Sequence, residues 1–155
     1  MVFPQGYHIT FGAYGARLHG SVKPHVDRDH NTYGEPFAPF DPTREQNARD
    51  RMKFEPVSLT LEQRKIVDTA IDDLCARYQW TIHTKAVQSD HVHVVLTANR
   101  EGEPLREAIK AVASRALNRE YGKRHWWAEG GSAKYLWETE YFHGAIDYVQ
   151  RQRDF

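Results

Sequence analysis

The order in which hydrophobic periodicity changes along the chain limits the fold more than any single motif does. Tyr7–Tyr14, "YHITFGAY", alternates as a strand does, and Gly15 closes it. "LTLEQRKIVDTAIDDLCARYQW" has a helical period, with Thr60 and Gln63 spaced as a capping box. Its apolar face is Ile66, Val67, Ala70, Ile71, Leu74, Cys75 and Tyr78. Trp80–Val87 and His91–Thr97 read as two strands joined by the tight turn "QSD". "EPLREAIKAVASRALNREYG" is a second helix, with Pro104 in its first turn and Leu105, Ile109, Val112, Ala116 and Leu117 inward. "KYLWETEYF" carries a short-strand signal, and "HGAIDYVQRQRDF" reads as a last short helix. This order is a split βαβ pattern. It predicts an α+β fold: a ferredoxin-like antiparallel sheet, helices packed on one face, and a C-terminal tyrosine-bearing helix.

Between the first strand and the first helix, residues 16–56 are rich in Pro, Asp, Asn and Gly, and only "DPTREQNARDRMKF" can make a short helix. A connection this long is a functional or family insertion within what reads as a single domain over residues 1–155. Lys and Arg total 21 and Asp and Glu total 21, so a polyanion would have to be met by a local patch rather than by the field of the whole molecule. The lone Cys75 excludes an intramolecular disulfide and any Cys-based zinc site. No basic leader and no 18-residue apolar run is present, which predicts a cytoplasmic protein with no membrane partner.

Within the strand at His91–Thr97, His91 and His93 fall on one face and Val92 and Val94 on the other. Two such imidazoles are either partly buried, hydrogen-bonded structural groups or a chelating pair for one metal ion, which would need a third ligand from elsewhere. If the last segment is helical, Tyr148 and Gln152 share a face with Ala145 and Phe155, while Ile146, Val149 and Arg153 form another. A phenol and an amide oxygen would then be presented together; equally, Tyr148 reads as a core tyrosine and Gln152 as a solvated residue.

"PLREAIKAVASRALNREYGKRHWW" holds six basic residues, Arg106, Lys110, Arg115, Arg119, Lys123 and Arg124, against Glu107 and Glu120, a local charge of +4. With His125, Trp126 and Trp127 beside them, these cations suit single-stranded nucleic acid, where charges follow phosphates and aromatics stack on bases. A solvated helix face followed by two core tryptophans accounts for the same residues. Gly130 and Gly131 lack the spacing of a phosphate loop and read as a turn.

Taken together, Asp90-His91-Val92-His93-Val94-Val95 after a hairpin, a Lys/Arg-bearing helix beginning near Leu105 and the terminal Tyr148-x-x-x-Gln152 resemble the single-tyrosine HUH transposases. The likeness is in particular to REP-associated tyrosine transposases and the insertion-sequence transposases related to them, and it covers Tyr7–Tyr14 and Leu59–Gln152. The resemblance implies a divalent metal, Mg²⁺ or Mn²⁺, held by His91 and His93 and completed by Gln152. Tyr148 would be the nucleophile that nicks single-stranded DNA, a hairpin in form, and transfers the strand through a 5′-phosphotyrosine. It also implies a homodimer in which two sheets join, and a nucleoid-associated location. A catalytically inactive DNA-hairpin-binding regulator of the same fold would carry the same pattern.

Overall fold

The computed structural model describes residues 2–15 and 53–155. Most of the insertion at 16–56, and nearly all of its expected short helix, lie outside the described residues. The elements are β1 (Gly6–Gly12), α1 (Leu61–Tyr78), β2 (Thr81–Val87), β3 (His91–Thr97), α2 (Gly102–Tyr121), β4 (Ser132–Leu136) and α3 (Thr139–Gln150). The strands form one sheet in the order β2-β3-β1-β4, every neighbouring pair antiparallel, which is the ferredoxin-like arrangement the element order predicts. The capping box of α1 is formed in both directions: Gln63 N donates to Thr60 Oγ1 at 3.1 Å and Thr60 N donates to Gln63 Oε1 at 2.9 Å.

Alternation on the central strands builds two cores. Tyr7, Ile9 and Phe11 of β1 and Val92, Val94 and Leu96 of β3 pack against Val67, Ile71 and Leu74 of α1 and Leu105, Ile109 and Leu117 of α2. On the other face Val95, Ala86 and Leu136 meet Ala145 and Val149 of α3, with Phe142, Ile146 and Tyr148 alongside. The two long helices therefore share one face, as expected, while α3 crosses the opposite one. The physical reason lies in β3, whose residues from His91 to Leu96 are buried on both sides, so the face carrying His91, His93 and Val95 needs its own cover. The approach is close at β1: a Cβ on Gly6 would meet the Phe142 ring at 2.7 Å.

The last helix also differs in extent from the expected His143–Phe155. It begins at Thr139 and stops at Gln150, because Val149 is its last residue buried against the sheet. Beyond it the tail turns back to α1, where the Arg64 guanidinium pairs with Asp154 and lies 5.0 Å from the centre of the Phe155 ring. Among the described residues, no helix is long and apolar enough to cross a membrane.

Candidate active site

Because Val92, Val94 and Leu96 occupy the α1/α2 core, His91 and His93 must face α3. Antiparallel pairing with β1 then sets Thr10 opposite His93, His8 opposite Val95 and Gly12 opposite His91. Three polar groups meet at that point. His93 Nδ1 lies 3.1 Å from His8 Nε2 and 3.1 Å from Thr10 Oγ1, and Thr10 Oγ1 is 3.3 Å from His8 Nε2. The His91 ring stands perpendicular to that of His93 with centroids 4.7 Å apart, and its Nδ1 is 2.5 Å from Asp90 Oδ1.

Tyr148 descends from α3 onto this cluster. Its ring centroid is 5.7 Å from that of His93, edge to face, and 6.1 Å from that of His8. His91, His93 and His8 are all buried, and Tyr148 is half-buried. Burial, with the Lys134 charge on the neighbouring strand adding to it, pushes the His8 imidazole down to about 4, so it is neutral near pH 7. A buried neutral imidazole, a hydroxyl and a carboxylate thus surround a histidine pair beside a phenol.

The structure brings the rings of His91, His93 and Tyr148 together. Sequence reasoning gave no role to His8 and Thr10, although "YHITFGAY" already places them on one face of β1. Gln152 lies in a turn after α3: its N–H donates to Val149 O at 2.9 Å, a spacing of three rather than four residues. Its carbonyl accepts a 2.8 Å hydrogen bond from Gln88 Nε2, which ties it to the turn that leads into β3. Among the described residues, no group of three or more His, Cys, Asp or Glu is placed to hold a metal. His91 and His93 would offer a divalent ion two adjacent imidazoles on one face, and any further donor would have to come from outside such a group.

The basic segment divides. Arg115, Arg119, Lys123 and Arg124 are exposed. Lys110 is buried, and its Nζ donates to Ala128 O and Gly130 O, both at 2.9 Å. Trp126 and Trp127 are core residues: Trp126 Nε1 donates to Asn118 Oδ1 at 2.8 Å, and Trp127 Nε1 donates to Lys110 O at 3.2 Å while its ring meets Phe11 edge-on at 4.9 Å. At 2% and 7% exposure, Trp126 and Trp127 have no face to offer a base, which corrects the reading of them, and with them of Lys110, as nucleic-acid contacts. Arg106 is half-buried and donates from Nη1 to Gly131 O at 3.3 Å. Gly131 sits at a positive φ of 122°, where a Cβ would collide with the Thr10 carbonyl, so this turn is pressed onto β1 beside the histidines.

Lys123 and Arg124 line a cleft of about 440 Å³ with Phe54, Glu55 and His125. The Phe54 and His125 rings stack there at 4.8 Å and 10°. The cleft lies at the Asp90 end of the sheet, where Ala13 N donates to Asp90 O and Tyr14 N donates to Trp126 O, each at 2.9 Å.

No curated protein matches the chain. Its fold is similar to that of a REP-associated tyrosine transposase solved in complex with a REP hairpin, with a TM-score of 0.55 and 12% identity over 96% of this chain. The chain spans 66% of that protein's length. A Deinococcus radiodurans protein provisionally assigned as a transposase aligns over 100% of this chain and 95% of its own, with 14% identity and a TM-score of 0.49. The family model described as "Transposase IS200 like" matches residues 51–153, a span that takes in the histidine pair, the tyrosine helix and the basic segment, and the chain belongs to that family.

Proposed function

We propose that this chain nicks single-stranded DNA and rejoins it to another strand, with Tyr148 as the nucleophile. The observation that carries the reading is the phenol of Tyr148 standing against His93 on a sheet face that also holds His91. The Tyr148 oxygen attacks the scissile phosphorus, the bond to the 3′-oxygen breaks, and that oxygen leaves as a hydroxyl after taking a proton. The phenol loses its own proton in the same step, and a 5′-phosphotyrosine remains. Attack by a DNA 3′-hydroxyl on that ester restores a phosphodiester and releases the tyrosine, so bond energy is retained and strand transfer, not hydrolysis, is the outcome.

A Mg²⁺ or Mn²⁺ ion on His91 and His93 would polarise the phosphate and neutralise charge that grows on its oxygens. Gln152 remains the proposed third ligand. Gln152→Ala should then weaken the response to Mn²⁺, while Gln150→Ala, on the exposed side of α3, should not; equal titration curves would remove Gln152 from the set.

DNA in hairpin form is the proposed substrate, supported by the complex of the similar transposase with a REP hairpin. Exposed Arg115, Arg119, Lys123 and Arg124 are the proposed phosphate contacts, joined by half-buried Arg106. α2 lies on the sheet face away from Tyr148, so a strand that touches both must pass around an edge or an end of the sheet. The Phe54–His125 stack beside Lys123 lies on such a route. Two copies are proposed to pair along β4, an edge strand on which Tyr135 is exposed, followed directly by exposed Trp137. A monomeric mass by light scattering at micromolar concentration would exclude that pairing.

The deciding experiment incubates the protein with labelled single-stranded hairpins and Mn²⁺ and looks for an adduct that survives a denaturing gel. A covalent band is expected. Hairpin binding with no band would instead fit a regulator that kept the fold without the chemistry.

A further inference from the structure

We infer that Asp90 and the β1 pair His8 and Thr10 are positioning residues that fix the tautomers of the two metal-facing histidines. The inference rests on the metal reading of His91 and His93 made above. An imidazole that ligates a metal offers a lone pair from one ring nitrogen and carries its proton on the other, and the partner of that N–H orients the ring. In this chain the Nδ1 atoms of both histidines already meet such partners. His91 Nδ1 is 2.5 Å from Asp90 Oδ1, and a carboxylate at that distance can only accept, so the proton sits on Nδ1.

His93 Nδ1 has two candidate acceptors, His8 Nε2 and Thr10 Oγ1, each at 3.1 Å. Buried His8, when its own proton is on Nδ1, presents a lone pair at Nε2, and the Thr10 hydroxyl oxygen offers a second acceptor at the same distance. With Nδ1 of each ring turned to these partners, Nε2 is the nitrogen left to face a metal on both His91 and His93. Each partner is delivered by a different part of the fold. Asp90 is the last residue of the hairpin turn, next to its histidine, and its carbonyl is held by Ala13 N at 2.9 Å. His8 and Thr10 come from a strand 85 and 83 positions away and reach His93 only through the β1–β3 register. The registration of the central strands is thereby coupled to the orientation of a metal ligand.

The test is calorimetric titration of Mn²⁺ into the full chain, free of DNA, so that binding is read apart from activity. Asp90→Ala and His8→Phe should each raise the Mn²⁺ dissociation constant by about 10- to 100-fold, the range set by loss of an outer partner of a ligating histidine. Asp90→Asn, which keeps an acceptor oxygen, should recover most of the affinity. Hairpin affinity in EDTA should stay at the parent's value, which a general loss of structure would not allow. Thr10→Val supplies a smaller and independent reading on His93 should His8→Phe fold poorly, and Thr10→Ser should restore it. If Asp90→Ala, His8→Phe and Thr10→Val bind Mn²⁺ as the parent does while His91→Ala abolishes binding, the positioning roles are overturned and the metal site stands. A parent that takes up no Mn²⁺ overturns both.

Discussion

The Tyr148 ring meets the His93 imidazole at 88° with 5.7 Å between centroids, and both belong to the same copy of the chain. The helix that carries Tyr148, α3, packs on the sheet of its own chain through Ala145 and Val149. Tyr148→Phe should abolish the covalent DNA adduct and leave folding and hairpin affinity near the parent's values. Mixing Tyr148→Phe with His91→Ala protein should not restore cleavage. Recovered cleavage in the mixture would mean that α3 leaves its own sheet and completes the site of another copy.

Trp127 belongs to stability rather than to DNA contact. Its ring fills the core against Phe11, so Trp127→Ala should cost about 3–5 kcal/mol in a denaturant titration. Where the variant is still folded, its hairpin affinity should match the parent's. A selective loss of affinity with unchanged unfolding would return the ring to the DNA surface.

Lys110 should behave in the same way, with a pH signature of its own. Burial holds its ammonium below the usual range, with Glu107 partly opposing that shift. Between the lowered folded value and the ordinary value near ~10.5, the unfolded chain binds a proton that the folded chain does not, so this group makes stability rise with pH across that window. Lys110→Met should lack the rise, which is read as the difference between parent and variant unfolding curves as pH is raised toward the ordinary lysine value. At pH 7 the same variant leaves the Ala128 and Gly130 carbonyls without their donor, and a loss of about 1–3 kcal/mol is expected.

Lys123 and Arg124 should show the opposite pattern. Each is exposed, so Lys123→Ala should leave stability within about 0.5 kcal/mol of the parent. Hairpin affinity should fall for each substitution, and the slope of log affinity against log salt should become shallower by about one unit per phosphate contact removed. An unchanged slope in the Lys123→Ala, Arg124→Ala double variant would place the DNA elsewhere.

Local signals were the legible ones. The alternation of "HVHVVLT" assigned His91 and His93 to one face, and the Thr60–Gln63 spacing marked the start of α1, because both depend on residues a few positions apart. His8 escaped notice because its meaning depends on pairing across 85 positions, which no local period encodes. Tryptophans next to cations look alike in sequence whether they turn outward to bases or inward to a core; only the isolated bridge of Ala13 to Trp127 and the surrounding packing decide it. The face chosen by α3 was hidden for a related reason. A helix of this length carries an apolar stripe for either side of a sheet, and the choice follows from β3 being buried on both.

The α3 helix is stitched down at both ends. At its start Gln5 Nε2 donates to Trp137 O at 2.9 Å and to Thr139 Oγ1 at 3.0 Å, and past its end the tail is held by Gln88 and by Arg64. On the proposed reading of Tyr148 as nucleophile, a phenol mounted this way would act as an anvil rather than a swinging arm. A DNA end joined to it would stay pinned to the sheet face, and the incoming strand, with whatever hairpin carries it, would have to travel to meet it.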